Sequence, residues 1–591
     1  MCQSRKDIVE FSKLNEGILR SVFLNIGLNT RLDVWRWKDV NWHQVEQNVR
    51  KLQCRIAKAV KAQKPQKIIK GLRKLLGTSL SARLLAVKKV VSNKGKNTAG
   101  VDKVKLNSAK KKVEAVKWLK QNNNRLYKAK PLKRVFIPKK QKNKKRQKIK
   151  LTDLLKRIGV PKDWRPLGIP TQNDRCMQAL HKLSLEPVTE STADKNSYAY
   201  RQKRSVKDAI SQVFCVVGYK QSATSILEGD IKGCFDNISH QWTLENIPVN
   251  KHILKQWLKS GFVYENHWFD CDSGTPQGGI ISPLIANMVL DGLEKEIKAL
   301  KLRKCNFVRY ADDFIVTCEN KNDLIEKVKP AIEKFLKFRG LTLSPEKTKI
   351  THIDDGFDFL GFNVRKYNGK PLIKPAKKSI GNIKYKIKTV FKKLRSAPVI
   401  ELLETINPIL RGWANNYDSQ VSKDVFEHID DYVWNKSLYY MKRRHNKRKS
   451  KYFYNKYFTK SDKHKVDVLF AKDKQKNGKT KIVKMFRMGE VSIIRHCKIR
   501  SDANVFDTAN ELYFEQRDLR KWKRNDTLAI KKKQLRKMQN SKCPICGKLM
   551  FLNDQTEIHR KVFLTKGGNV KIENLQLVHT ECHKQCHLSD E

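Results

Sequence analysis

The chain carries its apolar residues in two periods, one typical of helices and the other typical of strands. Between Trp42 and Val60, apolar residues recur at helical spacing with basic residues on the opposite face, and leucines from Leu72 to Leu85 continue the pattern. This predicts that residues 1 to about 70, and the stretch that follows them, are helical. Further along, short apolar runs bounded by turn residues predict strands.

The clearest strand prediction is a β-hairpin in the middle of the chain. Two apolar runs flank a short turn, and Asp312 and Asp313 lie at its tip. Adjacent carboxylates repel each other unless a cation lies between them, and a divalent metal ion commonly fills that place. For this stretch alone, a solvated pair of aspartates is the simpler alternative.

A third carboxylate ends another predicted strand. The run Ser225–Gly229 leads into Asp230, and a short turn then brings the aromatic residue Phe235. Phosphoryl transfer assisted by two metal ions needs carboxylates around ions that lie about 4 Å apart. Asp230 and the two aspartates of the hairpin would supply three carboxylates from neighbouring strands.

A glycine-rich turn, Gly274–Gly279, lies between these strands and precedes an apolar helix. It contains Gln277 and Gly278, and its glycines permit a template or a nucleotide to approach the backbone closely. This order of motifs resembles the palm of a reverse transcriptase.

The resemblance implies a role for each of these residues. Asp230, Asp312 and Asp313 would hold two Mg²⁺ ions, one activating the primer 3′-hydroxyl and the other stabilising pyrophosphate, and the Ile231 carbonyl would complete one metal shell. Phe235 would be the gate that clashes with a ribonucleotide 2′-hydroxyl. The other positions that the resemblance assigns to nucleotide or template are Gln277, Gly278, Lys347, Arg134 and Arg165.

The resemblance sharpens to the reverse transcriptases of group II introns in the region before the palm. Asn97–Asp102 matches the start of the fingers in that family, and Pro131–Lys139 and Trp164–Thr171 match its two fingers strands. In the family, basic residues on these strands meet the incoming triphosphate, which selects Arg134 and Arg165. A surface role for Arg134 is an open alternative.

Between the two fingers strands this chain departs from the family. Lys139 to Lys150 holds eight Lys or Arg residues and no acid, where the family has a short turn. We interpret it as a flexible insertion at the fingertips, either a solvated loop or a segment that contacts RNA.

Two further stretches after the hairpin match the family. Leu341–Ile350 is expected to be an exposed strand that carries Lys347, at the position thought to protonate leaving pyrophosphate, although a surface lysine is the alternative. Phe357–Phe362 resembles the primer grip, in which a strand turn holds the primer end.

The region after the polymerase blocks is strongly basic and helical in pattern. From Phe359 to Ile400 there are twelve Lys or Arg residues and no acid, and apolar residues from Ile380 to Leu394 form one stripe. Arg411, Trp413 and Tyr417 follow, and then a second basic run and several aromatics. This resembles the thumb, or maturase domain, of group II intron proteins.

Four ligand-type residues near the end of the chain form two pairs. Cys543 and Cys546 make one pair, His579 and Cys582 make the other, and each pair has two residues between its members. This spacing predicts a tetrahedral structural Zn²⁺ site that stabilises a small domain.

The loop between the two pairs resembles the HNH endonuclease of group II intron proteins. His559, Asn574 and His583 match the motif, and His559 would help to hold a divalent metal. The position of the general base is occupied by Arg560, whose guanidinium stays protonated and cannot take a proton from water. We therefore expect impaired DNA cleavage, with a shifted register that makes His559 the base as the alternative.

The composition limits the classes of partner that this chain is expected to bind. The 591 residues contain 125 Lys and Arg against 58 Asp and Glu, a formal net charge of +67, so a polyanion is the expected partner. No apolar run reaches the length of a membrane span and no signal peptide is recognised, so no membrane partner is expected. Nine of the thirteen cysteines are scattered before residue 500, which indicates a reducing compartment. The lysine- and asparagine-rich composition fits a chloroplast, a mitochondrion or a bacterial cytoplasm.

These observations predict an α+β multidomain protein with a right-hand-like reverse transcriptase, an α-helical thumb and a small zinc-stabilised ββα domain. The expected divisions are an N-terminal helical RNA-binding extension, fingers and palm, thumb or maturase domain, DNA-binding region and HNH-like domain, at residues 1–70, 71–365, 366–464, 465–540 and 541–591.

The resemblance implies an RNA-directed DNA polymerase and maturase that binds its group II intron RNA, assists splicing and supports intron mobility into target DNA, using dNTPs. The alternative is a splicing-only maturase that uses the polymerase fold as an RNA-binding scaffold. A reverse transcriptase recruited to another task is disfavoured by the maturase-like and nuclease-like regions.

Overall fold

This computed structural model describes residues 37–123, 126–138, 164–474, 480–514, 516–517, 530–551, 554–562 and 572–583. The basic insertion from Lys139 to Lys150, the first 36 residues and the glycine pair at 567–568 lie outside these ranges. Within them, no helix is both long and apolar enough to cross a membrane.

The first part of the chain is a layer of helices around one long buried helix, Gln172–Thr192. The surrounding helices are Trp42–Lys61, Gln66–Thr78, Leu80–Ser92 and Ala109–Asn122. Asn41, Ser79, Ser108 and Thr171 each cap a helix by accepting a backbone N–H, as short polar side chains do at that position. The helical prediction is thus confirmed from Trp42 onward.

A small four-stranded sheet follows, in the order β2-β1-β4-β5. Its strands are β1 (Leu132–Pro138), β2 (Trp164–Ile169), β4 (Phe262–Tyr264) and β5 (His267–Phe269). β1 and β2 are antiparallel, with Arg134 opposite Gly168 and Arg165 opposite Ile137. The two strands expected before the palm are therefore present and paired.

The central sheet has the order β6-β7-β3-β8 and is antiparallel throughout. Its strands are β3 (Ser225–Asp230), β6 (Asn306–Tyr310), β7 (Asp313–Cys318) and β8 (Lys349–His352). The predicted hairpin and the predicted strand that ends in Asp230 are confirmed.

Each face of the central sheet packs into a different core. Leu227, Phe314 and Val316 belong to the core that contains helix Gln172–Thr192, whereas Ile226, Val308 and Ile315 belong to the core of the later helices. Successive side chains of a strand point to opposite faces, so a strand buried on both sides reads as a continuous apolar run. The carboxylates at the strand ends are consequently held by backbone that is fixed from both sides.

The expected strand Leu341–Ile350 is wrong over most of its length. Only Lys349 onward is a strand, and Leu343 makes a single bridge to Ile231. Pro345 lacks a backbone N–H, and the N–H groups of Lys347 and Thr348 bond back to Ser344, so the chain turns here instead of pairing.

The helices on and around the central sheet are short. They are Val206–Val217, Cys234–Asn237, His240–Asn246, Lys251–Leu258, Ser282–Leu290, Leu293–Ala299 and Lys329–Lys337. Helix Ser282–Leu290 is the apolar helix expected after the glycine-rich turn.

The following region combines two small sheets with four helices. One sheet has β9 (Phe357–Phe359), β10 (Phe362–Tyr367) and β11 (Lys370–Pro375), and the other has β12 (Phe458–Lys460), β13 (Asp467–Lys474) and β14 (Thr480–Lys484). The helices are Lys377–Lys393, Val399–Tyr417, Lys423–Arg444 and Ser450–Tyr457. Ile383 and Ile387 of the predicted apolar stripe are buried, while Lys386 between them is exposed and Lys384 is partly buried.

The C-terminal part is a small unit with its own core. Helix Ile530–Met538 packs against an antiparallel pair, β15 (Thr556–Arg560) and β16 (Leu575–His579), and residues 580–583 are helical. Its buried residues are few and include Cys543, which leaves little apolar area to hold the fold.

Candidate active site and terminal metal cluster

Three carboxylates come together at one end of the central sheet. Asp230, the last residue of β3, lies directly opposite Asp313, the first residue of β7. Asp312 occupies the two-residue turn between β6 and β7, in which Ala311 has a left-handed φ of 59°. Sheet register therefore unites Asp230 and Asp313, which are 83 positions apart in the sequence.

The three carboxylates carry more negative charge than the neighbouring cations balance. Burial, the charges of Asp312 and Asp230, and a hydrogen bond with Asp230 raise the pKa of Asp313 to about 7. Burial and Asp230 also raise the pKa of Asp312, against the opposing charges of Lys347 and Arg165. Such a cluster suits a group that brings positive charge.

Lys347 supplies part of that charge. Its Nζ donates to Oδ2 of Asp230 at 2.7 Å, and this hydrogen bond raises the pKa of the ammonium. The Lys347 side chain is 66% exposed, so the ammonium remains reachable from solvent. The turn described above, with the Ser344 N–H donating to the Asp230 carbonyl at 2.8 Å, fixes its base.

Phe235 and Gln277 are joined through Asp236. Phe235 and Asp236 lie in helix Cys234–Asn237, and Nε2 of Gln277 donates to both carboxylate oxygens of Asp236 at 3.1 and 3.2 Å. Phe235 meets the ring of Tyr200 edge to face, with centroids 6.5 Å apart. The glycine-rich turn and the aromatic residue are thus parts of one structure.

Gly278 lies where no side chain fits. Its φ is +125°, and a Cβ there would be 2.6 Å from the carbonyl oxygen of Gly168 on β2. The neighbouring Gln277 carbonyl accepts from the Gly168 N–H at 2.8 Å. The glycine therefore allows the turn to lie directly on the strand that carries Arg165.

The two arginines of the small sheet differ in their surroundings. Arg165 is exposed, and its charge acts on Asp312. Arg134 is half-buried with its guanidinium carbon 3.8 Å from the centroid of Phe262, and burial lowers its pKa. Among the described residues, Nε of Arg134 has no hydrogen-bond partner. The carboxylate whose charge acts on Arg134 is Asp236.

A buried carboxylate outside the cluster, Asp208, joins the start of helix Val206–Val217 to a later part of the chain. Asp208, at the start of helix Val206–Val217, accepts hydrogen bonds from Arg517, from His496 at 2.9 Å and from the Ile499 N–H at 2.8 Å. These three donors lie within residues 488–514 and at Arg517. Burial acts to raise the pKa of Asp208, but the hydrogen bond from His496 and the charge of Arg517 outweigh it and hold that pKa well below its usual range.

The four terminal ligand residues form a cluster in space. One ligand atom from each of Cys543, Cys546, His579 and Cys582 lies within 4.8 Å of the others. Nδ1 of His579 is 3.4 Å from Sγ of Cys546, and its Nε2 is 3.5 Å from Oδ2 of Asp554. A ring nitrogen among thiols with a carboxylate behind the other nitrogen is typical of a metal-bound histidine. Hydrogen bonds from Cys582 and His579 lower the pKa of Cys543, which favours a thiolate.

The HNH-like residues occupy one side of the same unit. The rings of His559 and His583 are 5.1 Å apart, and Nδ1 of His583 lies 2.6 Å from Oε2 of Glu557. Asn574 donates to the Val562 carbonyl and accepts from the Val562 N–H, so its amide joins the end of β15 to the turn before β16. The Arg560 side chain lies outside the described residues.

Comparison with known families is consistent with this geometry. Four family models match the chain in order: the N-terminal domain of reverse transcriptase at residues 37–119, reverse transcriptase (RNA-dependent DNA polymerase) at 137–364, the maturase-specific domain of group II introns at 380–458, and HNH endonuclease at 543–588. These four matches, in this order, support a group II intron reverse transcriptase and maturase with a C-terminal HNH domain.

The relatives that the chain resembles match it over part of its length. The chain is 27% identical over 350 residues to the group II intron-encoded protein LtrA of Lactococcus lactis subsp. cremoris, which covers 48% of this chain and 54% of LtrA. It is 29% identical over 254 residues to the protein YkfC of Escherichia coli, covering 35% of this chain and 66% of YkfC. An uncharacterized 91 kDa protein in a cob intron of Schizosaccharomyces pombe is 28% identical over 262 residues, covering 34% of this chain and 32% of that protein. The match thus spans about half the length of LtrA.

Sequence reasoning missed the roles of three carboxylates. Asp208, Asp554 and Glu557 stand in no recognisable motif, and each acts through a histidine or arginine that is distant in sequence or in a different element. Only the fold brings these partners together. For Glu557, a usable signal was the presence of a Glu and a His that flank the nuclease motif.

Proposed function

We propose that this protein is an RNA-directed DNA polymerase that binds its group II intron RNA and assists its splicing. The observation that carries the proposal is the convergence of Asp230, Asp312 and Asp313 at one end of β3 and β7. Three carboxylates on rigid neighbouring strands are the arrangement that two-metal phosphoryl transfer requires.

The carboxylate cluster fits divalent metal ions. The raised pKa values of Asp312 and Asp313 show negative charge that the described side chains leave incompletely balanced. We propose that Asp230, Asp312, Asp313 and the Ile231 carbonyl hold Mg²⁺. Bound Mg²⁺ would supply a Lewis acid for the primer 3′-hydroxyl and for the leaving phosphates.

The protein's own residues then position the substrates. Arg165, exposed and close to Asp312, would bind the triphosphate of a dNTP, and Lys347 would give a proton to the leaving pyrophosphate. Phe235, braced by Tyr200, would exclude a 2′-hydroxyl. Arg134 would support this pocket from behind through Asp236 and Phe262.

In this proposal the sheets and helices form a right-hand-like polymerase with fingers, palm and thumb. The sheet β2-β1-β4-β5 would be the fingers, the central sheet the palm and the lysine-rich helices from Lys377 the thumb. The five divisions at 1–70, 71–365, 366–464, 465–540 and 541–591 belong to the same proposal. The excess of basic residues supports intron RNA and target DNA as partners.

For the terminal unit we propose structural Zn²⁺ and weak nuclease activity. Three thiols and an imidazole are soft ligands suited to Zn²⁺. His559, Glu557 and His583 lie together where a second divalent metal would bind, but Arg560 occupies the position of the general base. Intron mobility would then rely on a DNA end made without this nuclease.

The second candidate is a splicing factor that has lost polymerase activity. Intact carboxylates argue against it, since a scaffold has no use for charges that raise one another's pKa. Both candidates bind intron RNA, so only catalysis separates them.

Primer extension on an RNA template with Mg²⁺ tests the proposal. The full chain should extend the primer, Asp312→Asn should not, and Asp354→Asn, an exposed aspartate between β8 and β9, should behave as wild type. A wild-type protein that binds RNA and makes no DNA would leave the splicing factor as the function.

A further inference from the structure

A basic and aromatic segment follows the lysine-rich helices. It consists of the last turn of helix Lys423–Arg444, residues 445–449 and helix Ser450–Tyr457. From Lys442 to Tyr457 the chain holds eight Lys or Arg residues and no Asp or Glu. We call these sixteen residues the aromatic–basic turn.

Three rings of this turn are arranged as a connected group. The rings of His445 and Tyr457 are stacked with centroids 5.4 Å apart, and the ring of Tyr452 meets His445 at 5.5 Å. Among the described residues, Nε2 of His445 is buried without a hydrogen-bond partner. The imidazole therefore serves as a spacer between two tyrosines.

Cations flank these rings. Nζ of Lys456 lies 5.5 Å from the ring centroid of Tyr452 and 5.6 Å from that of Tyr457, and it donates to the Tyr452 hydroxyl at 3.2 Å. The guanidinium carbon of Arg448 lies 5.5 Å from the Tyr452 ring. The group thus pairs aromatic faces with positive charge, the combination that recognises unpaired bases and their phosphates.

The outward position of Tyr452 is not explained by packing. Helix Ser450–Tyr457 buries Phe453, and Tyr454 and Tyr457 pack against the large core, whereas Tyr452 is 41% exposed and lies outside that core. An isolated exposed tyrosine needs no explanation. Here, however, the exposed ring is held by two cations and a neighbouring imidazole, within a segment that has no acid to neutralise it.

We infer that the aromatic–basic turn binds single-stranded RNA, with a base stacked on Tyr452 and phosphates held by Arg448, Lys456 and the neighbouring basic residues. Bases in a duplex are already stacked on each other, so an aromatic platform selects unpaired bases, which intron RNA offers in its loops. An acidic protein would use the cations but not the rings. This inference rests on the proposed binding of intron RNA.

The turn lies apart from the polymerase cluster. Its described hydrogen bonds to other elements run from Arg444 to the Ala397 carbonyl and from Tyr454 to Asp467 on β13. None of these reaches the sheet that carries Asp230. The platform is therefore expected to act on RNA binding without changing nucleotide addition.

The test uses the full-length protein and fluorescein-labelled RNA probes of about 12 nucleotides, one unstructured and one a perfect duplex, followed by anisotropy. Tyr452→Ala should weaken binding of the unstructured RNA by about 5- to 150-fold and leave duplex binding and the salt dependence unchanged. Tyr452→Phe, which keeps the ring, should bind as wild type. Tyr219→Ala is the matched control, since Tyr219 is 78% exposed and, among the described residues, joins no ring cluster.

A second variant reads the electrostatic part. Replacing Arg448 by Ala should lower the slope of log affinity against log salt by about one for both probes. Equal loss of duplex and single-strand binding in Tyr452→Ala, or no loss at all, would overturn the inference. Primer extension is measured in parallel: wild-type protein without polymerase activity but with ring-dependent RNA binding would contradict the proposed polymerase and leave the platform standing.

Discussion

Nζ of Lys347 and Oδ2 of Asp230 are 2.7 Å apart, so an exposed ammonium is held at the first carboxylate of the proposed active site. Two residues later, Lys349, the first residue of β8, pairs with Glu228 on β3 at 3.1 Å. Lys347 lies in the turn before β8 and Lys349 begins that strand, so the two neighbouring lysines differ in the carboxylate they contact.

This pair gives a matched test of proton donation. Lys347→Ala should slow single-nucleotide addition by about 100- to 10,000-fold, the range for loss of a general acid, whereas Lys349→Ala should leave the rate unchanged. Single-turnover primer extension at saturating dNTP measures the step directly. Equal rates for the two variants would show that Lys347 is only a surface lysine.

Gly278 gives a test of the close contact between the glycine-rich turn and β2. Gly278→Ala places a Cβ 2.6 Å from the Gly168 carbonyl at a φ of +125°, so the turn must shift, at a cost of about 1–3 kcal/mol, and the KM for dNTP should rise. Gly412→Ala is the control, because it lies in helix Val399–Tyr417 with no atom within 4 Å of the added carbon. Gly412→Ala should raise the free energy of unfolding by about 0.5–1 kcal/mol and therefore raise the melting temperature slightly.

Asp208 should contribute strongly to stability in a pH-dependent way. Asp208→Asn leaves Arg517 buried beside a neutral group, and we expect a loss of about 3–5 kcal/mol, measured by urea unfolding at neutral pH. The control Asp502→Asn, whose side chain is 70% exposed, should change stability by less than about 0.5 kcal/mol.

The sign of the pH dependence follows from the lowered pKa of Asp208. Its stabilising contribution is complete above the unfolded-state pKa of about 3.9 and declines as pH falls from there toward the lower folded-state value. The stability difference between wild type and Asp208→Asn should therefore be constant from pH 8 to about pH 5 and shrink below pH 4. A difference that grows on acidification would contradict this account.

The terminal cluster should bind one zinc ion per chain. Cys546→Ser should abolish binding, and Asp554→Asn should lower the affinity by about 10- to 100-fold because the carboxylate orients His579. Zinc content after dialysis against graded chelator measures both. Polymerase activity should persist in each variant, and zinc retained by Cys546→Ser at full affinity would exclude this ligand set.

The nuclease proposal predicts a gain of function. Arg560→His would restore an imidazole that can accept a proton from water, so nicking of duplex DNA should rise above the wild-type level. Adding His559→Ala to that variant should remove the gain. Efficient nicking by the wild type, lost in His559→Ala, would instead support the shifted register.

The carboxylate cluster was predictable because its determinants are local. Asp230 ends an apolar run, Asp312 and Asp313 lie at the turn between two apolar runs, and strand pairing brings the three together. The Cys543 and Cys546 pair, and its partner pair, were readable from spacing for the same reason.

What the sequence did not reveal depends on distant contacts or on a single residue. Arg517 and His496 reach Asp208 only when two parts of the chain about 300 positions apart pack together. The strand expected at Leu341–Ile350 is absent before Lys349, because Pro345 lacks a backbone N–H and the N–H groups of Lys347 and Thr348 bond back to Ser344.

The contact of Arg517 with Asp208 also determines when the newly synthesised chain can complete its fold. The two residues are 309 positions apart, and a ribosome adds about 5–20 residues per second, so Asp208 emerges about 15–60 s before its guanidinium partner exists. During that interval the helix beside the proposed active site has a buried carboxylate without its cation. The region around Asp208 is therefore expected to reach its final rigidity only when synthesis is nearly complete.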